Sequence, residues 1–292
     1  MSEKREAVVD VSVLTPSLNY GRFIEDALQS ALYQQGPSVQ HIVQDGASTD
    51  DTLEVLSHFD ANVDWTSEPD RGQSDALNKA LSRATGRWVG WLNADEFYLP
   101  GSLARLIRAG EKNGADVVYG DCAFVDESGR LLRLLAQHRF SPRVLRGYGC
   151  YISSNSTIFR RSALGKDPWD EELHKMMDWD LFMNLVLHDA TVLYVPYPVG
   201  AFRMHPAQVT ASPRDWSSEY GNMISRYALA KDIAHLKRRH KRVRWLHLVQ
   251  KLVAGSYRRQ SRAKALRGRD IRWFRSPLGY ANSIELLERA YG

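Results

Sequence analysis

Cysteine is scarce. The 292 residues hold two, Cys122 and Cys150, which make neither a disulfide framework nor a thiolate metal spacing, so a reducing cytoplasm is the expected setting. No apolar run is long enough to cross a bilayer. The opening MSEKREAVVD is charged and lacks an apolar core, so it does not read as a signal peptide. Internal repeats and low-complexity tracts are absent. So is a glycine-rich phosphate loop after the first strand, where Pro16-Ser17-Leu18-Asn19 stands instead. What is present is ordinary globular composition, 43% hydrophobic and 25% charged, with length for one large domain and an appendage. The net charge of +5 is unevenly placed, because basic residues crowd positions 231–275.

The chain is organised around positions 87–98, RWVGWLNADEFY. Trp88 to Leu92 is a short apolar run bounded by turn formers, which predicts a buried strand. It runs into Asn93, Asp95 and Glu96. Acidic groups at the carboxyl edge of an open α/β sheet sit where such sheets bind ligands. Two adjacent carboxylates there suit a hard divalent cation also held by substrate phosphates. The alternative is an acidic loop before a helix that starts near Pro100-Gly101-Ser102.

Strand patterns at 8–14, 39–44, 63–66, 88–92 and 116–121 alternate with helical stripes at 20–34, after 49–52, at 74–83 and at 103–111. That rhythm predicts a mainly parallel sheet with helices on both faces. Beyond 121 it changes. Positions 124–131 read as a hairpin turning at Ser128-Gly129, 155–159 and 192–195 as strands, and 179–188 as a helix. From 216 onward the sequence reads as helical and basic.

In this order, VSVLTPSLN (11–19), QDGASTDDT (44–52), SEPDRGQSDALNKA (67–80), WLNADEFYLPG (91–101), MDWDLF (177–182) and FRMH (202–205) resemble the landmarks of the family 2 glycosyltransferases, nucleotide-sugar enzymes of the GT-A fold. The resemblance covers roughly 8–210. It implies a Rossmann-like GT-A catalytic domain at 1–211, with a donor half to about 121 and an acceptor half from 122, followed by a helical region at 212–292. It also implies transfer of a sugar from a nucleoside diphosphate to a hydroxyl acceptor with inversion, in cell-envelope or extracellular polysaccharide or glycolipid synthesis.

The site residues follow the same landmarks. Thr15, Pro16, Ser17 and Tyr20 match the first nucleotide-binding turn; a proline turn fixes backbone groups for a base, and Tyr20 would stack on it. Asp45 matches the acidic residue that binds the nucleobase, with an Asx-turn as its alternative. Asp50 is better explained as a helix N-cap. Arg71 would pair with phosphate through its fork, and Asp75 and Asn78 share one helix face beside it. Asn93 and Ala94 complete the donor set. Asp95 matches the metal position and His205 the late histidine, implying Mg2+ or Mn2+. Asp178 matches the catalytic base, or else caps its helix; Asp180 reads as a charge favoured by the helix dipole. Three departures stand out. Asn93 replaces a common Asp, Glu96 another, and Met177 stands where many relatives carry an acidic residue.

Thirteen Lys and Arg and no Asp or Glu fall within 233–269. Interleaved Trp245, Leu248, Val249, Leu252 and Val253 make one helical stripe. A basic amphipathic helix reads as a segment for an anionic membrane surface, or as a packing helix with a solvated basic face. No groove-reading motif points to nucleic acid. The expected partners are a nucleoside-diphosphate sugar and a saccharide or lipid-linked acceptor, and the expected place is cytoplasmic, peripheral at the inner face of the membrane. A nucleotidylyltransferase acting on sugar phosphates is the alternative enzyme, which the absent glycine-rich loop weighs against. An inactive nucleotide-sugar or polysaccharide-binding module is the non-enzymatic one, and donor hydrolysis would separate it from a transferase.

Overall fold

The computed structural model describes residues 9–208, 217–229 and 233–276, together with Leu287. Among these residues nine strands form one sheet: β1 (Val11–Ser17), β2 (Val39–Asp45), β3 (Val63–Ser67), β4 (Trp88–Trp91), β5 (Phe97–Tyr98), β6 (Val117–Val125), β7 (Leu131–Leu135), β8 (Thr157–Arg160) and β9 (Val192–Arg203). Their order is β3-β2-β1-β4-β8-β6-β9-β5, with β7 paired to β6. The half from β3 to β4 is parallel. In the second half β8 runs antiparallel to both β4 and β6, while β6 and β9 are parallel.

The first half follows the sequence pattern. β1 and β4 are buried along their whole length, as expected of apolar runs covered on both faces. Helices α1 (Ile24–Leu32), α2 (Thr52–Ser57), α3 (Gln73–Ser82) and α4 (Ser102–Asn113) return the chain between strands. α4 lays Leu103, Leu106 and Ile107 on the core beside Trp88. Asp50 accepts from the Thr52 backbone at 3.0 Å at the start of α2. The 124–131 hairpin is present, with Gly129 at φ +79° in its turn, where a side chain would be strained.

The second half departs from the expectations. The strand expected at 192–195 continues to Arg203 as one strand, β9, kept in pairing by register shifts opposite Tyr119 to Cys122. Such bulges let a strand carry Pro196 and Pro198 without breaking. The short strand β5 and the helices α5 (Pro142–Tyr148) and α6 (Arg161–Leu164) carry no periodicity long enough to read. α7 (Met177–Leu187) begins at Met177, two residues before the expected start.

The C-terminal helices α8 (Ser217–Arg226), α9 (Ile233–Val253) and α10 (Ser256–Ala263) pack on this frame. Val243, His247 and Lys251, four apart, form the buried face of α9. Val243 meets Gly147 of α5, and His247 bonds His138 at 2.8 Å. Trp245, Leu248, Leu252 and Val253 face outward, Trp245 at 69% and Val253 at 83% exposure. The stripe expected from sequence is therefore the solvent-facing side. No helix among the described residues is long and apolar enough to cross a membrane.

Candidate active site

The strands of the parallel half end together. Ser17, Asp45 and Ser67 are in register across β1, β2 and β3, and Asn93 to Asp95 follow β4. Beside these ends opens a cleft of about 440 Å³. Its wall includes Pro16, Ser17, Tyr20, Asn93, Ala94, Asp95 and Asp178 from the sequence-derived set. His205 joins them through a 2.9 Å contact between its Nε2 and Asp95 Oδ2. The Ser17 Oγ is buried without a hydrogen-bond partner, so a ligand in the cleft could satisfy it.

Five expected donor residues do not line the cleft, and each has a partner inside the protein. The Thr15 hydroxyl bonds His41 at 2.9 Å. Asp45 is fully buried and accepts from the Ser48 backbone and hydroxyl and from Ser67 Oγ, at 2.8, 2.5 and 2.7 Å. Arg71 is exposed and pairs with Asp75 at 3.1 Å and Glu171 at 2.5 Å. Asp75 also accepts the Arg71 backbone N–H at 3.0 Å, which fixes the turn at Gly72, φ +118°. Asn78 ties α3 to Trp169, donating to its carbonyl at 2.8 Å and accepting its N–H at 3.2 Å. Sequence placed these residues at the right strand ends and helix turn. It had no means of seeing which neighbours would saturate them.

Asn93 has a similar history. Its Oδ1 accepts from Gln73 at 2.6 Å and Trp91 at 2.8 Å. That oxygen is therefore occupied, and the side-chain amide also hydrogen-bonds the Glu96 carboxyl. Glu96 is buried, and its carboxyl is raised well above the ordinary range by burial and by the nearby Asp95 charge. It turns back toward the Asn93 backbone, at 3.3 Å, and is not a cleft carboxylate. The pair of adjacent carboxylates expected from sequence is thus one outward carboxylate, Asp95, facing His205. No group of three or more His, Cys, Asp or Glu placed to hold a metal ion by themselves occurs among the described residues. One carboxylate and one imidazole at the mouth of a cleft fit a hard cation that completes its shell from diphosphate oxygens and water.

Asp178 lies on the other wall, in the first turn of α7. Its Oδ1 accepts the Trp179 N–H at 2.6 Å. Burial pushes its carboxyl up to about 6, and hydrogen bonds from the Trp179 backbone and the Cys150 thiol only partly oppose that. Asp180 behaves differently. It lies in the first turn of α7 as a dipole-favoured charge should, but it is buried and holds Arg226 at 2.8 Å and the Tyr227 hydroxyl at 2.7 Å, so it also fastens α8 to α7.

Sequence reasoning missed several residues. Asp70 and Gln73 line the cleft beside Asn93, and His174 and Lys175 line it beside Asp178. The signal for Asp70 was an Asx-turn, since it accepts the Gly72 N–H at 2.8 Å. Glu219 of α8 accepts three successive N–H groups, of His174, Lys175 and Met176, at 3.2, 2.9 and 3.2 Å. It fixes the approach to α7 from 40-odd positions away, a distance no local pattern spans.

The sequence from 12 to 167 matches the model of "Glycosyl transferase family 2". The chain belongs to glycosyl transferase family 2. It is 28% identical over 194 residues to the "PGL/p-HBAD biosynthesis glycosyltransferase" of Mycobacterium tuberculosis, covering 62% of this chain and 71% of that one. It is 29% identical over 157 residues to the "Succinoglycan biosynthesis protein ExoO" of Rhizobium meliloti, covering 53% and 45%. Among solved structures it is similar to TarS of S. aureus with UDP-GlcNAc, at TM-score 0.63 and 16% identity over 97% of this chain and 82% of that one. It is also similar to the mannosyltransferase PcManGT of Pyrobaculum calidifontis with GDP-Man and Mn2+, at TM-score 0.54 and 16% identity over 96% and 86%. The fold is GT-A, and this family 2 protein is a glycosyltransferase.

Proposed function

We propose that this glycosyltransferase moves a sugar from a nucleoside diphosphate to an acceptor hydroxyl with inversion, in the synthesis of an envelope or extracellular polysaccharide or glycolipid. One observation carries the reading: Asp178, its carboxyl raised to about 6, shares a cleft with the Asp95–His205 pair. Pro16, Ser17 and Tyr20 would hold the base, with the unpaired Ser17 Oγ as a donor or acceptor. Asp95 and His205 would hold Mg2+ or Mn2+, which when bound neutralises charge on the leaving diphosphate. Asp178 takes the acceptor proton as the acceptor oxygen bonds the anomeric carbon and the bond to the diphosphate breaks. Thr15, Asp45, Asp75 and Asn78 would act by bracing the strand ends and α3, and Arg71 by closing the α3 turn.

A melting experiment with UDP, GDP and their sugars tests the donor side. With Mn2+ at saturation, the matching nucleotide should raise the melting temperature by several degrees, because binding to the folded state alone stabilises it. With excess chelator most of that rise should vanish. An equal rise under both conditions rejects the cation role of Asp95 and His205.

The outward face of α9 supports a second element of the reading, attachment to the inner face of an anionic membrane close to a lipid-linked acceptor. Trp245, Leu248, Leu252 and Val253 of α9, with Tyr257 of α10, are five of the eleven large exposed apolar residues among those described. They are concentrated in a stretch that carries no carboxylate from 233 to 269, the combination an anionic membrane surface would attract. The chain should sediment with phosphatidylglycerol vesicles and much less with phosphatidylcholine, and salt should release it. Leu252→Asp should weaken binding at unchanged melting temperature. Indifference to lipid charge refutes the attachment.

A further inference from the structure

We infer that Arg203 is a positioning residue for the Asp95–His205 pair, set in turn by Asp26 and the C-terminal turn Trp273–Arg275. This rests on reading that pair as the cation site. Arg203 ends β9 two positions before His205 and is 1% exposed. Each arm of its guanidinium has its own acceptor. Nε donates to the Asp95 carbonyl at 2.8 Å, Nη1 to the Glu127 carbonyl at 2.5 Å and Nη2 to the Asp26 carboxylate at 2.7 Å. The guanidinium lies 4.9 Å from the centre of the Phe23 ring, and that ring packs 4.8 Å from His205. One side chain thus grips the backbone of the first ligand and, through Phe23, braces the ring of the second.

A buried guanidinium needs a countercharge. Asp26 of α1 supplies it and is itself buried. Its other oxygen accepts from Arg275 Nε and Nη2 at 2.8 and 2.5 Å, and Arg272 Nη1 stands 3.6 Å from the oxygen that meets Arg203. Phe274, between them, packs on Phe97 at 5.5 Å, two residues past Asp95. Residues near the end of the chain are therefore joined to the cation pair by a continuous run of ion pairs and ring contacts. The planar fork is what makes the link, since a lysine ammonium cannot meet three acceptors in one plane at these separations.

Arg203→Lys keeps a positive charge for Asp26 and loses the grip on Asp95. Mn2+ is titrated by calorimetry into the full chain at saturating UDP or GDP, well below the melting temperature. Nucleotide affinity without Mn2+ is measured in parallel. Arg203→Lys should weaken Mn2+ by roughly tenfold, as expected when a group supporting a metal ligand is lost, with the Mn2+-free nucleotide affinity within about twofold of wild type. Arg275→Gln, at a side chain 45% exposed, should weaken Mn2+ in the same direction by roughly threefold, and it carries the test if Arg203→Lys does not fold. Wild-type Mn2+ affinity in a folded Arg203→Lys, or in Arg275→Gln where that variant carries the test, overturns the inference and leaves these residues as packing. Failure of the wild type to take up Mn2+ with either nucleotide rejects the cation reading itself, and is seen before any substitution is made.

Discussion

Asp178→Asn is expected to lower turnover by about a hundredfold or more, as loss of a general base does, while donor affinity stays nearly unchanged. The substitution keeps the side chain's shape and the oxygen that accepts the Trp179 N–H. What it removes is a proton acceptor needed only as the acceptor oxygen attacks, so the loss belongs to the transition state. The acid limb of the rate profile should report the same group. The base works when ionised, so kcat/KM for the wild type should fall as pH drops through about 6. Near-native turnover in Asp178→Asn, or donor binding lost in proportion to rate, would show that Asp178 is not the base.

The same burial gives this prediction a second readout. Burial raises the folded-state value of Asp178 above its ordinary 3.8, up to about 6. The neutral acid is thus favoured by the fold, and the stability it contributes is present below the unfolded value and lost as pH rises through about 6. At neutral pH the ionised group is a burden on the fold. Asp178→Asn should therefore be more stable than the wild type by on the order of 2 kcal/mol near neutrality, and no more stable at about pH 4. A pure helix-capping residue would show the reverse, because asparagine there gives up charge at a helix N-terminus. Urea melts at the two pH values separate base from cap.

Sequence legibility divides along the same line as the sheet. The parallel half was readable because its strands are local patterns bounded by turn residues, and β1 and β2 end at Ser17 and Asp45 while Asn93 follows β4. Asp178 and His205 were also placed, because short motifs marked them. Saturation of polar groups was not readable. Asn78 is spent on Trp169, 91 positions away, and Asp180 on Arg226 and Tyr227. The second half of the sheet was harder still, since β9 crosses two prolines through register shifts and α5 is too short for periodicity to mark it. The tail shows the limit of an amphipathic pattern. The stripe from Trp245 to Val253 was legible, but a stripe does not say which face turns inward. Buried His247 and Lys251 turned the helix the other way.

Removal of the Arg259 guanidinium is expected to have the largest effect on stability. α10 is fastened to the sheet there. Arg259 Nε meets Asp121 Oδ2 at 3.1 Å, and its Nη2 donates to the Tyr194 hydroxyl at 2.6 Å and the Gln137 carbonyl at 2.9 Å. Asp121 has no exposed surface. Burial pushes its carboxyl up to about 6 even though the Arg259 charge pulls it down. Arg259→Met fills similar volume but takes away that carboxylate's direct ion-pair partner and leaves only the more distant charge of Lys251, a loss of about 3–5 kcal/mol. The Tyr194 and Gln137 donors to Oδ1 remain, at 2.5 and 2.7 Å, so the lower part of that range is expected. The effect should depend on pH. Without Arg259 the folded-state value of Asp121 rises further, so protonation removes the burden, and the deficit should shrink as pH falls from about 8 to about 5. Adding Asp121→Asn should recover part of the loss at about pH 8 by the same reasoning. Urea melts of the single and double variants at both pH values decide it. A loss under about 1 kcal/mol that does not vary with pH would mean that the ion pair is screened by solvent, as surface pairs are, and that α10 is held by packing alone.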